Sequence, residues 1–168
     1  MDDKKKNSLI LLFFFGIICG IVLKLFFFDF MRVSGTSMEP AIHDKGHAII
    51  NKVAYGLVRP FGEDLLLQWN TPKVGDIVAY FHNNKLVIKR CVGCQGDSID
   101  FYTDLGYSLS VNGRKIPLTE TQYQRLKHNK TVPEDMILAV GDNYEVSVDS
   151  RDYGFIFVDN IIGRVVAK

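Results

Sequence analysis

The sequence predicts a mostly β domain hung from a single N-terminal membrane-spanning helix, and three observations predict it. Ser8–Phe30 reads SLILLFFFGIICGIVLKLFFFDF, with Lys24 and Asp29 its only charges. Past Met31, short runs rich in Val, Ile and aromatics alternate with Gly, Asn, Asp and Pro, the punctuation of strands and turns. Asn112-Gly113 then separates two such runs, which is the strongest short-range signal for a β-hairpin. A chain of 168 residues leaves roughly 135 for one compact domain after the helix.

The apolar run comes first. At about 1.5 Å per residue, twenty-odd apolar residues cross a ~30 Å hydrocarbon layer. Lys24 lies near the far end, where its stem can snorkel toward head groups. Phe26, Phe27 and Phe28 stand where a removable signal would need small residues, so the run reads as a permanent anchor. Lys4, Lys5 and Lys6 precede it, which keeps residues 1–7 in the cytosol by the positive-inside bias. Residues 8–30 are then the anchor in the cell membrane, plasma or inner, and 31–168 form an extracytoplasmic domain.

Within that domain the candidate strands are His47–Val53, Asp76–Phe81, Leu86–Val92, Ser98–Tyr102, Ser108–Val111, Met136–Val140 and Ile161–Val166. Lys115–Leu118 pairs back across Asn112-Gly113. Thr119–Asn129 reads as a short helix or a loop. Leu65–Leu67 with Trp69 reads as an apolar loop, resting at the bilayer interface or packed on the domain. There is no repeat and no second apolar span.

The formal net charge is +1 with Lys and Arg scattered, which gives no nucleic-acid footprint. Cys91 and Cys94 form C-V-G-C, but no second Cys pair or H-x3-5-H completes a zinc set. They read as two small buried residues, or as a disulfide in an oxidising compartment. The histidines at 43, 47, 82 and 128 sit in no H-E-x-x-H pattern, and no G-x-S-x-G elbow occurs. A Ser-His-Asp set is therefore poorly supported.

A Ser–Lys pair is the better candidate. Ser37 lies in G-T-S-M, whose small residues leave its oxygen uncrowded and backbone N–H groups free. Lys89 lies in the strand-like L-V-I-K-R. As a general base it must be neutral near pH 7, a drop of ~3 units that costs about 4 kcal/mol and must come from desolvation. On residue type alone, an ordinary surface lysine on an edge strand is the better reading.

Four patterns in order tilt that balance. S-G-T-S-M-E-P at 34–40, G-D-I-V at 75–78, I-K-R-C-V-G-C-Q-G-D at 88–97 and G-D-N-Y-E-V-S-V-D-S-R-D-Y-G at 141–154 closely resemble the type I signal peptidases, over nearly the whole chain. The resemblance implies a compact β-rich catalytic domain with Ser37 as nucleophile and Lys89 as general base. It implies that Ser147 orients the lysine amine, that Asp149 and Arg151 brace the loop carrying that serine, and that Gly141, Asp142 and Asn143 form the turn beneath the site. Some members carry a serine two residues before the nucleophile to help bind the oxyanion. Gly35 stands there instead, so the hole is expected to rest on backbone N–H groups, of Ser37 first and of Gly35. Tyr144 replaces an Arg common in relatives.

By the same resemblance, an exported preprotein lays its cleavage segment beside the site as an added strand. Met31, Val33, Ile42, Val87 and Ile88 would wall shallow pockets that accept small residues, often Ala-x-Ala. The implied activity is that of a serine endopeptidase removing signal peptides, monomeric, with preproteins and the lipid bilayer as partners and no metal or organic cofactor. Specialised relatives that mature conjugative pilins or act at the mitochondrial inner membrane share this chemistry. A self-cleaving repressor of related fold is disfavoured, since residues 1–30 hold a span and no DNA-reading helix pair. A peptide-binding β module without catalysis is the non-enzymatic alternative.

Overall fold

A computed structural model describes residues 3–59, Gly62, 64–104 and 106–167. Helix α1 (Asp3–Val22) continues into one wider turn, Leu23–Phe27, and together they carry an apolar stretch, Asn7–Phe27, long enough to cross a membrane. Strand β1 (Phe28–Arg32) follows with no linker. Phe28, Asp29 and Phe30, which the sequence reading places in the anchor, are therefore strand residues. The helix end is tied down rather than frayed: Lys52 donates its backbone N–H to the Phe27 carbonyl at 2.8 Å and its Nζ to the Leu25 carbonyl at 2.9 Å. Both are terminal carbonyls that the helix itself leaves without partners.

Among the described residues, eleven further strands and two short α-helices follow in chain order. They are β2 (His47–Asn51), β3 (Gly56–Val58), β4 (Leu65–Gln68), β5 (Ile77–His82), β6 (Lys85–Cys94), β7 (Ile99–Tyr102), β8 (Ser108–Val111), β9 (Arg114–Pro117), α2 (Glu120–Leu126), β10 (Met136–Val140), α3 (Ser150–Tyr153), β11 (Ile156–Phe157) and β12 (Ile161–Ala167). A seven-stranded antiparallel sheet runs in the order β1-β2-β12-β5-β6-β10-β11. β7, β8 and β9 form a separate three-stranded sheet, and β3 pairs with β4.

The centre of the large sheet is buried on both faces, and period-2 alternation shows how. Along β5, Ile77 and Ala79 join Met38, Ile42, Ile50 and Ile88 in one cluster, while Val78 and Tyr80 join Tyr55, Cys91, Ile137 and Ile161 in another. A third cluster packs Ile99, Leu109, Val111, Ile116 and Leu126 against Val92, Leu138 and Val140. The small sheet and α2 thus cap one end of the large one.

Local chemistry explains the connections. Asn112 and Gly113 both take positive φ, 50° and 73°, as a two-residue hairpin requires. Asn83 and Asn84 do the same at 50° and 59° between β5 and β6. Of the two readings of Thr119–Asn129 the helix is correct over Glu120–Leu126, because Thr119 and Gln122 close a reciprocal capping box. Leu65–Leu67 is strand rather than loop, paired with β3. Trp69 stays 58% exposed, with its Nε1–H on the Val53 carbonyl at 3.1 Å.

Candidate active site

The turn after β1 presents Ser37, and the middle of β6 presents Lys89 from the neighbouring layer. Lys89 alternates with Ile88, which faces the core cluster around Met38, so its own side chain leaves the opposite face. Its Nζ donates to Ser37 Oγ at 2.8 Å. Lys89 is only 4% exposed, and its pKa is lowered, first by burial, which penalises the ammonium, and further by the Arg151 charge. Asp149, Asp142 and Asp152 oppose the shift. An edge-strand surface lysine is excluded by that burial.

The loop Gly141–Arg151 supplies the floor. Asn143 donates its backbone N–H to the Ser37 carbonyl at 3.0 Å, which fixes the serine turn onto this loop. A β-carbon on Gly141 would lie 2.6 Å from the Ser37 carbonyl oxygen and would overlap the Ser147 side chain. Glycine is needed there for close approach. Asp142 is gripped by the Arg90 guanidinium at 2.8 and 2.6 Å, in fork geometry, with Arg114 at 3.6 Å.

Asp149 is the hub of the loop. Fully buried, its carboxylate accepts from the Gly141 N–H at 3.0 Å, the Ser147 hydroxyl at 2.6 Å, and the Arg151 N–H, Nε and Nη2 at 3.1, 2.9 and 2.9 Å. Arg151, 2% exposed, spends its remaining donors on the carbonyls of Pro117, Tyr144 and Ser147. Tyr144 accepts from Arg114 Nε at 2.7 Å and lies under both guanidiniums, 5.6 and 5.5 Å from its ring centre. It serves as a packing platform between two arginines.

Two expectations about this site change. The Ser147 hydroxyl donates to Asp149, and a bond to Lys89 is not among those formed by the described residues. The resemblance implies a contact with the lysine; in the structure the carboxylate two residues on accepts the hydroxyl's hydrogen bond. The Gly35 N–H is not free for an oxyanion, because it donates to Asp44 Oδ1 at 2.8 Å. Gly35 earns its place by φ of +102°, a conformation that suits glycine. The Ser37 N–H has no partner among the described residues.

A cleft of about 380 Å³ opens over the Ser–Lys pair, and Met31, Val33, Val87 and Ile88 are among the residues that line it. Ile42 does not reach it. At 2% exposure it packs behind the cleft wall in the core. Sequence reasoning missed Met38, Leu86, Val146 and Val148, which also line it. Val146 and Val148 flank Ser147 in sequence, and the V-S-V alternation is a signal available from the pattern alone. It also missed Ser150, whose Oγ accepts from the Ala139 N–H at 3.0 Å and ties the loop to β10. His43 lies exposed beside Glu39, and His82 stacks on Tyr153, so neither adjoins Ser37.

Known proteins similar to this chain are signal peptidases. The family described as "Signal peptidase, peptidase S26" matches residues 6–168. Signal peptidase I of Bacillus caldolyticus is 30% identical over 171 residues, covering 90% of this chain and 85% of that protein. Signal peptidase IB of Staphylococcus aureus (strain COL) is 30% identical over 159 residues, covering 79% and 73%. A signal peptidase I from Enterococcus faecalis V583 of known structure is 28% identical, with a TM-score of 0.42 over 58% of this chain and 98% of that one. The chain belongs to the signal peptidase family, peptidase S26, and is a serine endopeptidase.

Proposed function

We propose that this chain is a membrane-anchored signal peptidase in which Ser37 is the nucleophile and Lys89 the general base. The observation that carries the reading is the 2.8 Å contact between a buried amine of lowered pKa and an accessible hydroxyl in an apolar cleft. A neutral Lys89 accepts the Ser37 proton as Oγ attacks the scissile carbonyl. The unpartnered Ser37 N–H is the donor for the oxyanion. The ammonium then protonates the leaving amine, and water, activated by the same lysine, hydrolyses the acyl ester. Ser147 acts through Asp149, to whose carboxylate it donates.

Substrate recognition by strand addition is supported by the sheet itself. β10 pairs with β6 only over Arg90–Cys94, so Lys85–Lys89 has an open edge beside the cleft, across from Met31–Ser34. Apolar walls there disfavour bulk, in keeping with small residues before the cut. The apolar helix would hold enzyme and membrane-embedded signal peptide in one thin layer, which raises their effective concentration.

The test is intact-mass analysis of a signal-bearing preprotein incubated with detergent-solubilised protein. Wild type should cut it once, after a small residue, and Ser37→Ala and Lys89→Ala should each lower the rate by at least ~1000-fold. Cleavage that persists in both variants would refute the Ser–Lys assignment. No cleavage by wild type, with peptide binding retained, would favour the non-enzymatic module.

A further inference from the structure

Two residues beyond Lys89, β6 holds a pair of thiols that the proposed chemistry does not use. In a regular strand, residues three apart point to opposite faces. The ladder with β10 is irregular here: Leu138 faces Gly93 while the next residue, Ala139, faces Cys91. Val92 is thus the extra residue of a β-bulge, and the bulge turns Cys91 and Cys94 to the same side. Their Sγ atoms stand 3.6 Å apart. No disulfide joins them, and both are free.

The surroundings differentiate the two. Cys91 is fully buried between Val78, Tyr80, Ile137 and Ala139. Cys94 is half-buried at the strand end, with its Sγ on the Pro72 carbonyl at 3.3 Å and its N–H on Asp97 Oδ2 at 2.8 Å. One thiol is reachable from solvent, and the other is reachable from the first. Burial pushes both thiols up, so both are protonated in the resting chain and exchange is slow until a proton is lost.

We propose that Cys91 and Cys94 are a covalent modification site, a dithiol that closes to an intrastrand disulfide by exchange with a low-molecular-weight or protein disulfide. Cys94 loses its proton and its thiolate attacks one sulfur of the incoming disulfide, breaking that S–S bond. The first leaving thiolate takes up a proton. Cys91 then loses its proton and attacks the Cys94 sulfur of the mixed disulfide, expelling the second thiol. Two protein thiols are oxidised and the partner disulfide is reduced to two thiols. The closed form would lock the bulge at the point where β6 passes from its open edge to its pairing with β10.

The experiment uses the full chain in detergent with Cys19→Ser, so that the pair is the only source of thiols. The protein is equilibrated with ratios of oxidised to reduced glutathione, quenched in acid and weighed intact. Closure is expected to lower the mass by about 2 Da, abolish both alkylation sites after unfolding, and follow the glutathione ratio as a two-electron couple. Peptide mapping should recover a cross-linked 91–94 fragment, and Cys94→Ser should show neither the mass loss nor any glutathione adduct. An unchanged mass with two alkylatable thiols at every ratio would overturn the proposal, as would a stable glutathione adduct on Cys94 alone. A dimer linked between chains would do so too.

Discussion

Replacing Asp149 by Asn tests whether the active-site loop is held by one buried charge. The change keeps the side chain's shape and removes the charge. In place of a carboxylate accepting from Gly141, Ser147 and three Arg151 N–H groups, the site then holds an amide whose own N–H₂ faces donors. Arg151, 2% exposed, loses its only carboxylate partner among the described residues. Breaking a buried pair from one side costs about 3–5 kcal/mol, which for a domain of this size is roughly 10–15 °C in Tm. Circular dichroism melting of the full chain in detergent reads that loss. The double variant Asp149→Asn, Arg151→Met removes the stranded charge and should recover a good part of it, since the two residues couple. An Asp149→Asn melt within about 3 °C of wild type would refute the reasoning. So would a double variant that melts no higher than the single one.

Further outcomes follow from the same geometry. Cleavage should rise with pH as Lys89 deprotonates, with its midpoint below the ordinary lysine value because burial lowers that pKa; a rate flat from about pH 5 to 10 would exclude a lysine base. Stability should climb over the same interval. Between the lowered folded pKa and the ordinary unfolded one, the unfolded chain binds one more proton, so unfolding free energy increases by up to about 1.4 kcal/mol per pH unit. Lys89→Met should abolish that slope and be more stable at neutral pH, checked by urea melts at several pH values. Gly141→Ala would drive a methyl into the Ser37 carbonyl and the Ser147 side chain; displacement of this kind should lower kcat about 100-fold or more while far-UV circular dichroism shows the sheet intact.

Much of the fold was legible because burial imposes a period. Ile77–Phe81 and Leu86–Val92 sit in a sheet covered on both faces, so their runs are nearly continuous in apolar residues, and the Asn-Gly hairpin gave its turn away through the backbone it demands. What escaped is what local pattern does not encode. β3 and β11 are three and two residues long, too short for alternation to register. Phe28–Phe30 is equally at home in lipid and on a strand, so the end of the anchor could not be read from hydrophobicity. In the site, Ser37 and Lys89 were legible through their boxes. The Gly35–Asp44 bond closes over nine residues and the Ser147–Asp149 bond competes with a lysine from another strand. Both are tertiary choices among donors.

The unbroken passage from α1 through its last turn into β1, pinned by Lys52, acts as a ruler. Flexible stalks let a tethered domain sample a range of heights; here the five residues of β1 fix one, about 17 Å of strand at ~3.3 Å per residue. With the helix in a bilayer, Ser37, the proposed nucleophile, would hover within a couple of nanometres of the surface and face a set direction. Under the proposed mechanism, cut points emerging much farther out would pass unread, and the distance between a preprotein's greasy segment and its scissile bond would join the side chains beside that bond in selecting substrates.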